Sequence, residues 1–226
     1  MEYNGEDNLS VMKMAYRYNA YLIDMVINQI NSSAKKILDF GSGDGYFARR
    51  ISKNLKKDII CLEPADNLQK HYKGSNIKSL EEVASNSIDA IYSFNVLEHI
   101  ENDKDIVDNF YKVLRKNGEV LLYLPAFSCL YSAMDKMVGH YRRYTKKDIA
   151  RLFDNDKWQI DRVVYADFVG FFVTIIFKII GNKQGKVSPL SIKIYDKFLF
   201  PISLFFDKIT KGRLLGKNII IKVTKK

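Results

Sequence analysis

Apolar positions along the chain recur at two periods, and the alternation between them sets the expected architecture. Val11, Met14, Tyr18, Leu22, Met25, Val26 and Ile30 fall near one helical face, so the spacing predicts a helix over residues 11–30. The short apolar run KILDF at 36–40 reads as a strand, and 46–54 as a helix. DIICL at 58–62 is a second strand, after which Pro64 opens a helix at a position where proline is tolerated. Residues 76–78 and 88–93 supply strands three and four. A helix over 103–116 is stopped by Asn117-Gly118, and EVLLYL at 119–124 forms strand five, ended by Pro125.

Beyond Pro125 the rhythm changes. Residues 126–144 form a long connection rich in Tyr, Met, His and Arg. Thr145 with Asp148 three positions on has the form of a capping box and opens a helix to about residue 153. Residues 158–165 make a sixth strand, 168–180 and 192–209 are strongly apolar and helical, and 217–223 closes the pattern as a last strand. Pro201 is expected to kink the second of these helices. Strands alternating with helices at short spacing mean a doubly wound α/β sheet.

Composition refines this picture in two respects. The length of 226 residues suits one domain over 1–226. Cys61 and Cys129 are far apart and form no CxxC pair, so zinc ligation and a disulfide framework are not expected. Residues 1–8 are polar and acidic, unlike a signal peptide, which points to a cytosolic protein with both thiols buried and reduced. The net charge of +10 is unevenly placed. Residues 178–226 carry 12 Lys+Arg against two acids, Asp196 and Asp207, so the rest of the chain is neutral. The excess therefore coincides with the two apolar helices. Apolar faces edged by lysine suit a helix lying on an anionic membrane surface, and the run 168–180 is shorter than the ~20 residues a spanning helix needs. The competing uses of these helices are cover for the sheet, an acceptor pocket wall or a dimer interface. A nucleic-acid partner is not favoured, because the tail lacks interleaved arginine and aromatic residues.

The chemistry begins at LDFGSGDG, at the end of the first strand. The sixth position from Gly41 is Tyr46, so the turn is not a dinucleotide G-x-G-x-x-G, and no P-loop lysine follows. What stands there is Asp-x-Gly-x-Gly-x-Gly, with Glu63 ending the second strand about twenty residues on, placed for a ribose diol. With IDAIYSFNVLEHI around strand four and LRKNGEVLLYLP into strand five, the chain resembles the class I S-adenosylmethionine-dependent methyltransferases over roughly residues 34–165 plus the final strand. That resemblance implies a Rossmann-like sheet of seven strands, mostly parallel, with an antiparallel last strand. NVLEHI resembles the branch acting on small molecules, lipids and quinones.

Residue roles follow from the resemblance. Asp39 meets the ammonium end of S-adenosylmethionine, Gly41 and Gly43 pass beneath its methionine and ribose, and Glu63 binds the ribose hydroxyls. Ser42, Gly45 and Pro64 belong to the same cofactor-binding set. Ser79 and Leu80 flank the adenine, Glu81 offers an acid for its amine, and Phe94 and Asn95 lie beside the sulfonium. Asp44 is read as a solvated turn residue. The acceptor segment is expected within 126–153 as a lid, with Tyr141, Arg142, Arg143 and Tyr144 as substrate-binding residues and His99 and His140 as catalytic bases. The alternative for this cluster is internal pairing of an arginine with an acid and packing of Tyr144 under the lid. No metal is expected, since His71, His99 and His140 are the three histidines and no carboxylate cluster has ligand spacing. The expected function is methyl transfer to an oxygen of a lipid-linked glycan, lipid or quinone-like acceptor at the membrane surface, with 166–213 as a basic apolar insertion. The alternatives are a soluble small-molecule methyltransferase and a non-catalytic cofactor-binding module.

Overall fold

A computed structural model describes residues 11–69, 74–180 and 188–226. His71 and residues 1–8 lie outside that set. Seven strands form one sheet: β1 (Ile37–Phe40), β2 (Ile59–Leu62), β3 (Asn76–Ile77), β4 (Ile88–Phe94), β5 (Leu114–Pro125), β6 (Trp158–Ala166) and β7 (Asn218–Lys225). Their order is β3-β2-β1-β4-β5-β7-β6. β7 runs antiparallel to both β5 and β6, while the other pairs are parallel. The order reverses between β1 and β4, the switch point at whose carboxyl end such sheets bind ligands.

Alternate side chains of the strands enter two cores. Leu38, Ile91, Leu122 and Ile221 face α4 (Asp103–Val113) and Trp158. Ile37, Ile59, Tyr92, Leu121 and Ile220 face α1 (Tyr16–Gln29) and α2 (Tyr46–Leu55). Strands buried on both faces read as near-continuous apolar runs, and β2 is wholly apolar while Asp39 alone interrupts β1.

Several boundaries depart from the periodicity, each for a local reason. α1 starts at Tyr16 rather than 11, because Ala15 is non-helical and a distant side chain caps the helix. The buried Asp196 carboxylate accepts the N–H groups of Arg17 (3.1 Å) and Tyr18 (2.9 Å). Replacing Asp196 by alanine removes this cap and leaves a buried donor unpaired, at an expected cost of about 2 kcal/mol. A melting temperature lower by roughly 4–8 °C is the result to look for in a thermal scan. α3 is the short turn Asp66–Gln69, two residues later than Pro64 would open it. The helix expected over 103–116 ends at Val113, since Leu114 is already extended and pairs with Ile88. Asn117, with φ +62, makes the expected sharp turn within a bulge of β5.

The connection after β5 holds α5 (Ala133–Met137) and α6 (Lys146–Leu152). Thr145 caps α6 through the reciprocal box with Asp148. Between β6 and β7 stand α7 (Phe168–Ile180), α8 (Pro189–Ile194) and α9 (Phe200–Thr210). The expected single helix over 192–209 is thus divided. A wide π-type turn at Tyr195–Leu199 precedes Pro201, which has no N–H to donate and sits in the first turn of α9. Cys129 was expected to be buried but is exposed: it lies on the one-turn helix Ser128–Leu130, whose inward position is taken by Leu130. No helix among the described residues is long and apolar enough to cross a membrane.

Candidate active site

The glycine turn follows β1 at the switch point. The N–H groups of Gly41 and Ser42 both donate to the Leu62 carbonyl, at 2.9 and 3.0 Å, which folds the turn back over the end of β2. Gly41 has φ +74, and a Cβ there would stand 2.4 Å from Val96 Cγ2. Only glycine therefore lets the turn pass beneath the β4 loop. Glu63 is held from both sides: Oε2 accepts from Gly43 N–H (2.9 Å) and Oε1 from Ala65 N–H (3.0 Å). This fixes the carboxylate and leaves each oxygen a lone pair for a further donor.

Asp39 lies on β1 between Cys61 and Tyr92. It is 3% exposed, and its Oδ2 has no hydrogen-bond partner. Burial pushes its pKa up to about 7, against a hydrogen bond from Tyr92 that pulls it down, and the Glu63 charge adds to the rise. A buried carboxylate with one unpartnered oxygen, beside a fixed one, fits the cationic amino-acid end and the ribose diol of S-adenosylmethionine. Asp44 turns away from this pair and binds Lys13, while its Oδ1 accepts from Tyr46 N–H at 3.1 Å.

At the end of β4, Asn95 adopts φ +52 and donates its N–H to the Tyr123 carbonyl at 2.8 Å. Phe94 packs edge-on against Phe47, with centroids 4.9 Å apart. Tyr18 meets Tyr123 in an edge contact at 6.0 Å, and burial drives both phenols above their ordinary range. After β3, Ser79 caps the turn Leu80–Glu82, so its hydroxyl is engaged by Glu81 N–H at 3.0 Å. Leu80 is buried and Glu81 exposed.

The residues expected from NVLEHI and from the lid segment GHYRRYT, at 139–145, come together. His99 and His140 stack edge to face with ring centroids 4.5 Å apart. Beneath them Glu98 is fully buried, and neither carboxylate oxygen has a hydrogen-bond partner from another residue. Burial pushes Glu98 up to about 8; it pulls His99 down to about 4, with the His140 charge acting in the same direction. His140 is oriented by Asp135, Nδ1 to Oδ1 at 2.8 Å. Asp135 also takes Arg143 through two nitrogens, at 2.9 and 3.1 Å, and the Ser132 N–H at 2.8 Å. Burial alone raises the Asp135 carboxyl, but His140 and Arg143 outweigh it and hold it well below the usual range.

The four expected substrate-binding residues divide. Arg143 is committed to Asp135. Arg142 pairs with Asp103 at 3.0 Å and keeps a third of its side chain exposed. Tyr144 is buried with its hydroxyl on Asp103 at 3.0 Å, and Tyr141 is exposed. Asp135 is given no role by the sequence. It lies five residues before His140, a spacing that flags no motif, and the sequence leaves Glu98, with His99, open between a cap of the β4 loop and a part of the acceptor site.

A sheet of this order, with this turn and acidic pair at its switch point, defines a class I S-adenosylmethionine-dependent methyltransferase. The chain belongs to the family described as a methyltransferase domain, whose model matches residues 13–162. It is 21% identical to the mitochondrial ubiquinone biosynthesis O-methyltransferase of Dictyostelium discoideum, the match covering 66% of this chain and 62% of that protein. The chain thus spans less than two thirds of that relative's length. Among solved structures it is similar to a SAM-dependent methyltransferase from Thermotoga maritima (TM-score 0.66, 12% identity, 99% of this chain and 96% of that one). It is also similar to phosphoethanolamine N-methyltransferase 2 of Haemonchus contortus, solved with S-adenosyl-L-methionine (TM-score 0.58, 16% identity, 93% of this chain and 52% of that one). At these identities the structural likeness speaks for the fold.

Proposed function

We propose that this methyltransferase acts on an oxygen of a lipid-like acceptor (a lipid, a lipid-linked glycan or a quinone-like molecule) at an anionic membrane surface. The observation that carries the reading is the exposed apolar surface of α7, the turn Tyr195–Leu199 and α9. Phe172, Ile176, Phe177, Phe198, Ile202, Phe205 and Ile209 are all exposed there. Both acids of residues 178–226 are turned inward: Asp196 caps α1, and Asp207 accepts the N–H groups of Asp167 (2.7 Å) and Phe168 (3.0 Å). Lys193, Lys197 and Lys208 on the same segment are exposed. Exposed apolar side chains on a segment whose solvent-facing charges include these lysines suit the boundary of an anionic bilayer.

Bound S-adenosylmethionine supplies an electrophilic methyl carbon on a sulfonium. In this reading Asp39 holds its ammonium, Glu63 its ribose, and Phe94 and Asn95 border the transferring group. The whole chain, 1–226, is one catalytic domain, 126–153 is the lid over the acceptor, and 166–213 is the docking insertion. A hydroxyl acceptor must shed its proton as it attacks. Glu98, His99 and His140, on the loop after Asn95 and on the lid, are the groups placed to handle it, and Arg142 is the cation left with solvent access for an anionic part of the acceptor. The similarity to a ubiquinone O-methyltransferase supports an oxygen acceptor of quinone type.

Vesicle flotation tests the reading. Phe198 and Phe205 are 57% and 61% exposed, so replacing both with aspartate leaves the core intact. The protein is expected to float with phosphatidylglycerol vesicles and not with phosphatidylcholine. The double variant should bind at least about tenfold more weakly, from the loss of two aromatic insertions. A protein that ignores both vesicles and is a dimer in light scattering, made monomeric by the same pair, would sink the membrane reading.

A further inference from the structure

We infer that Glu98, His99 and His140 form a three-ligand site for a divalent transition cation of the zinc type, with a coordination position left open. One ligand atom from each lies within 4.8 Å of the other two. The contraction needed to reach a tetrahedral ion is small, since Zn–N and Zn–O bonds of ~2.0–2.1 Å put ligands about 3.3 Å apart. His140 Nε2 already stands 3.8 Å from Glu98 Oε1, too far for a hydrogen bond and suited to two atoms facing a common centre.

Three further features point to a ligand. Glu98 is fully buried, and no neighbour hydrogen-bonds either oxygen, so its polar atoms are aimed at something that side chains do not provide. His140 has its Nδ1 on the Asp135 carboxylate at 2.8 Å, the carboxylate–histidine arrangement that fixes the tautomer and presents the opposite nitrogen to a metal. His99 stands edge-on to His140 with ring centroids 4.5 Å apart, which brings both imidazoles beside Glu98. Asp135 is already taken by Arg143, so the pair of arginines does not compensate Glu98 by direct contact. Two imidazoles and one carboxylate are a donor set for a borderline divalent ion rather than for calcium or magnesium.

The inference deepens the reading above and, for its role, rests on it. Glu98 lies three residues beyond Asn95, on the loop that the reading above sets beside the transferring group. An oxygen seated at the open position would be held as its anion, its proton released to water, instead of being deprotonated by a free imidazole. The site itself does not depend on that role.

The test uses the full chain, stripped with a chelator and titrated with Zn2+ by calorimetry and with Co2+ by visible absorption. One equivalent of each is expected, with the Co2+ band of a low-coordinate nitrogen–oxygen site. Glu98→Gln and His140→Ala should each weaken Zn2+ by at least about 100-fold, and Asp135→Asn by about 10–100-fold. Circular dichroism and S-adenosylmethionine affinity report whether each variant remains folded. Saturable binding that all three variants leave unchanged would overturn the proposal. So would no binding above that of His99→Ala/His140→Ala in folded protein, and a proton would then be what fills the cluster. Stoichiometric binding in a protein that transfers no methyl group would keep the site and refute the acceptor reading.

Discussion

Replacing Glu63 by alanine should weaken S-adenosylmethionine binding by about 100- to 1000-fold, because two hydrogen bonds to a charged acceptor are each worth ~1.5–3 kcal/mol. The size of the effect comes from how the carboxylate is held. Gly43 N–H and Ala65 N–H clamp its two oxygens, so it reaches the ligand with no side-chain freedom left to lose. Removing it also leaves those two donors without their acceptor and loosens the turn. Glu63→Gln should fall between, since the amide keeps one accepting oxygen and puts a donor where the second stood. Calorimetry on the three proteins reads the order directly. An alanine variant within threefold of the parent would show that the ribose is not bound here.

The second large effect is on pH dependence and belongs to Asp39. Its carboxyl is raised from 3.8 to about 7 in the folded protein. The folded state therefore holds a proton that the unfolded chain has released. The associated stability is fully present below about pH 4 and is lost as pH rises through about 7. Three units correspond to on the order of 4 kcal/mol. S-adenosylmethionine works in the opposite direction, because its ammonium needs the ionised form. Affinity should rise with pH over the same window, by up to about tenfold per unit below the folded pKa. In Asp39→Asn both dependences should flatten: the cofactor-free protein should gain stability at neutral pH while losing most of its affinity. Denaturant unfolding and calorimetry at several pH values between about 5 and 8 give both curves. A parent whose affinity is flat over that range would remove the ammonium from Asp39.

These two residues were legible in the sequence because they sit at fixed offsets from a strand end and a glycine turn, where local backbone geometry dictates what a ligand meets. The sheet was legible for a related reason: doubly buried strands are largely apolar runs, as in β2, the core of β5 and, apart from Asp39, Asp89 and Ser93, β1 and β4. What was hidden depends on residues distant in sequence. Nothing near Tyr16 shows that Asp196 will cap its helix. The density of GHYRRYT signalled a cluster, but the division of Arg142 and Arg143 between Asp103 and Asp135 is a matter of packing. Glu98 reads as an ordinary turn acid until its burial is known. The approach of His99 to His140 is hidden for the same reason, since it is made by the connection after β5 rather than by one helix or loop.

The position of β7 has a consequence for how the molecule comes apart. β6 pairs with β7 and with no other strand, and β7 pairs with β5 across seven registered positions. Release of β7 therefore strands β6 as well. It also uncovers the edge of β5, whose residues Val120 to Leu124 are wholly apolar and buried in the intact sheet. A long, flat, uncharged edge is a template for pairing with another chain. The eight residues of β7 thus act as a seal against self-association, and partial opening there endangers solubility before it endangers the cofactor turn at the far side of the sheet.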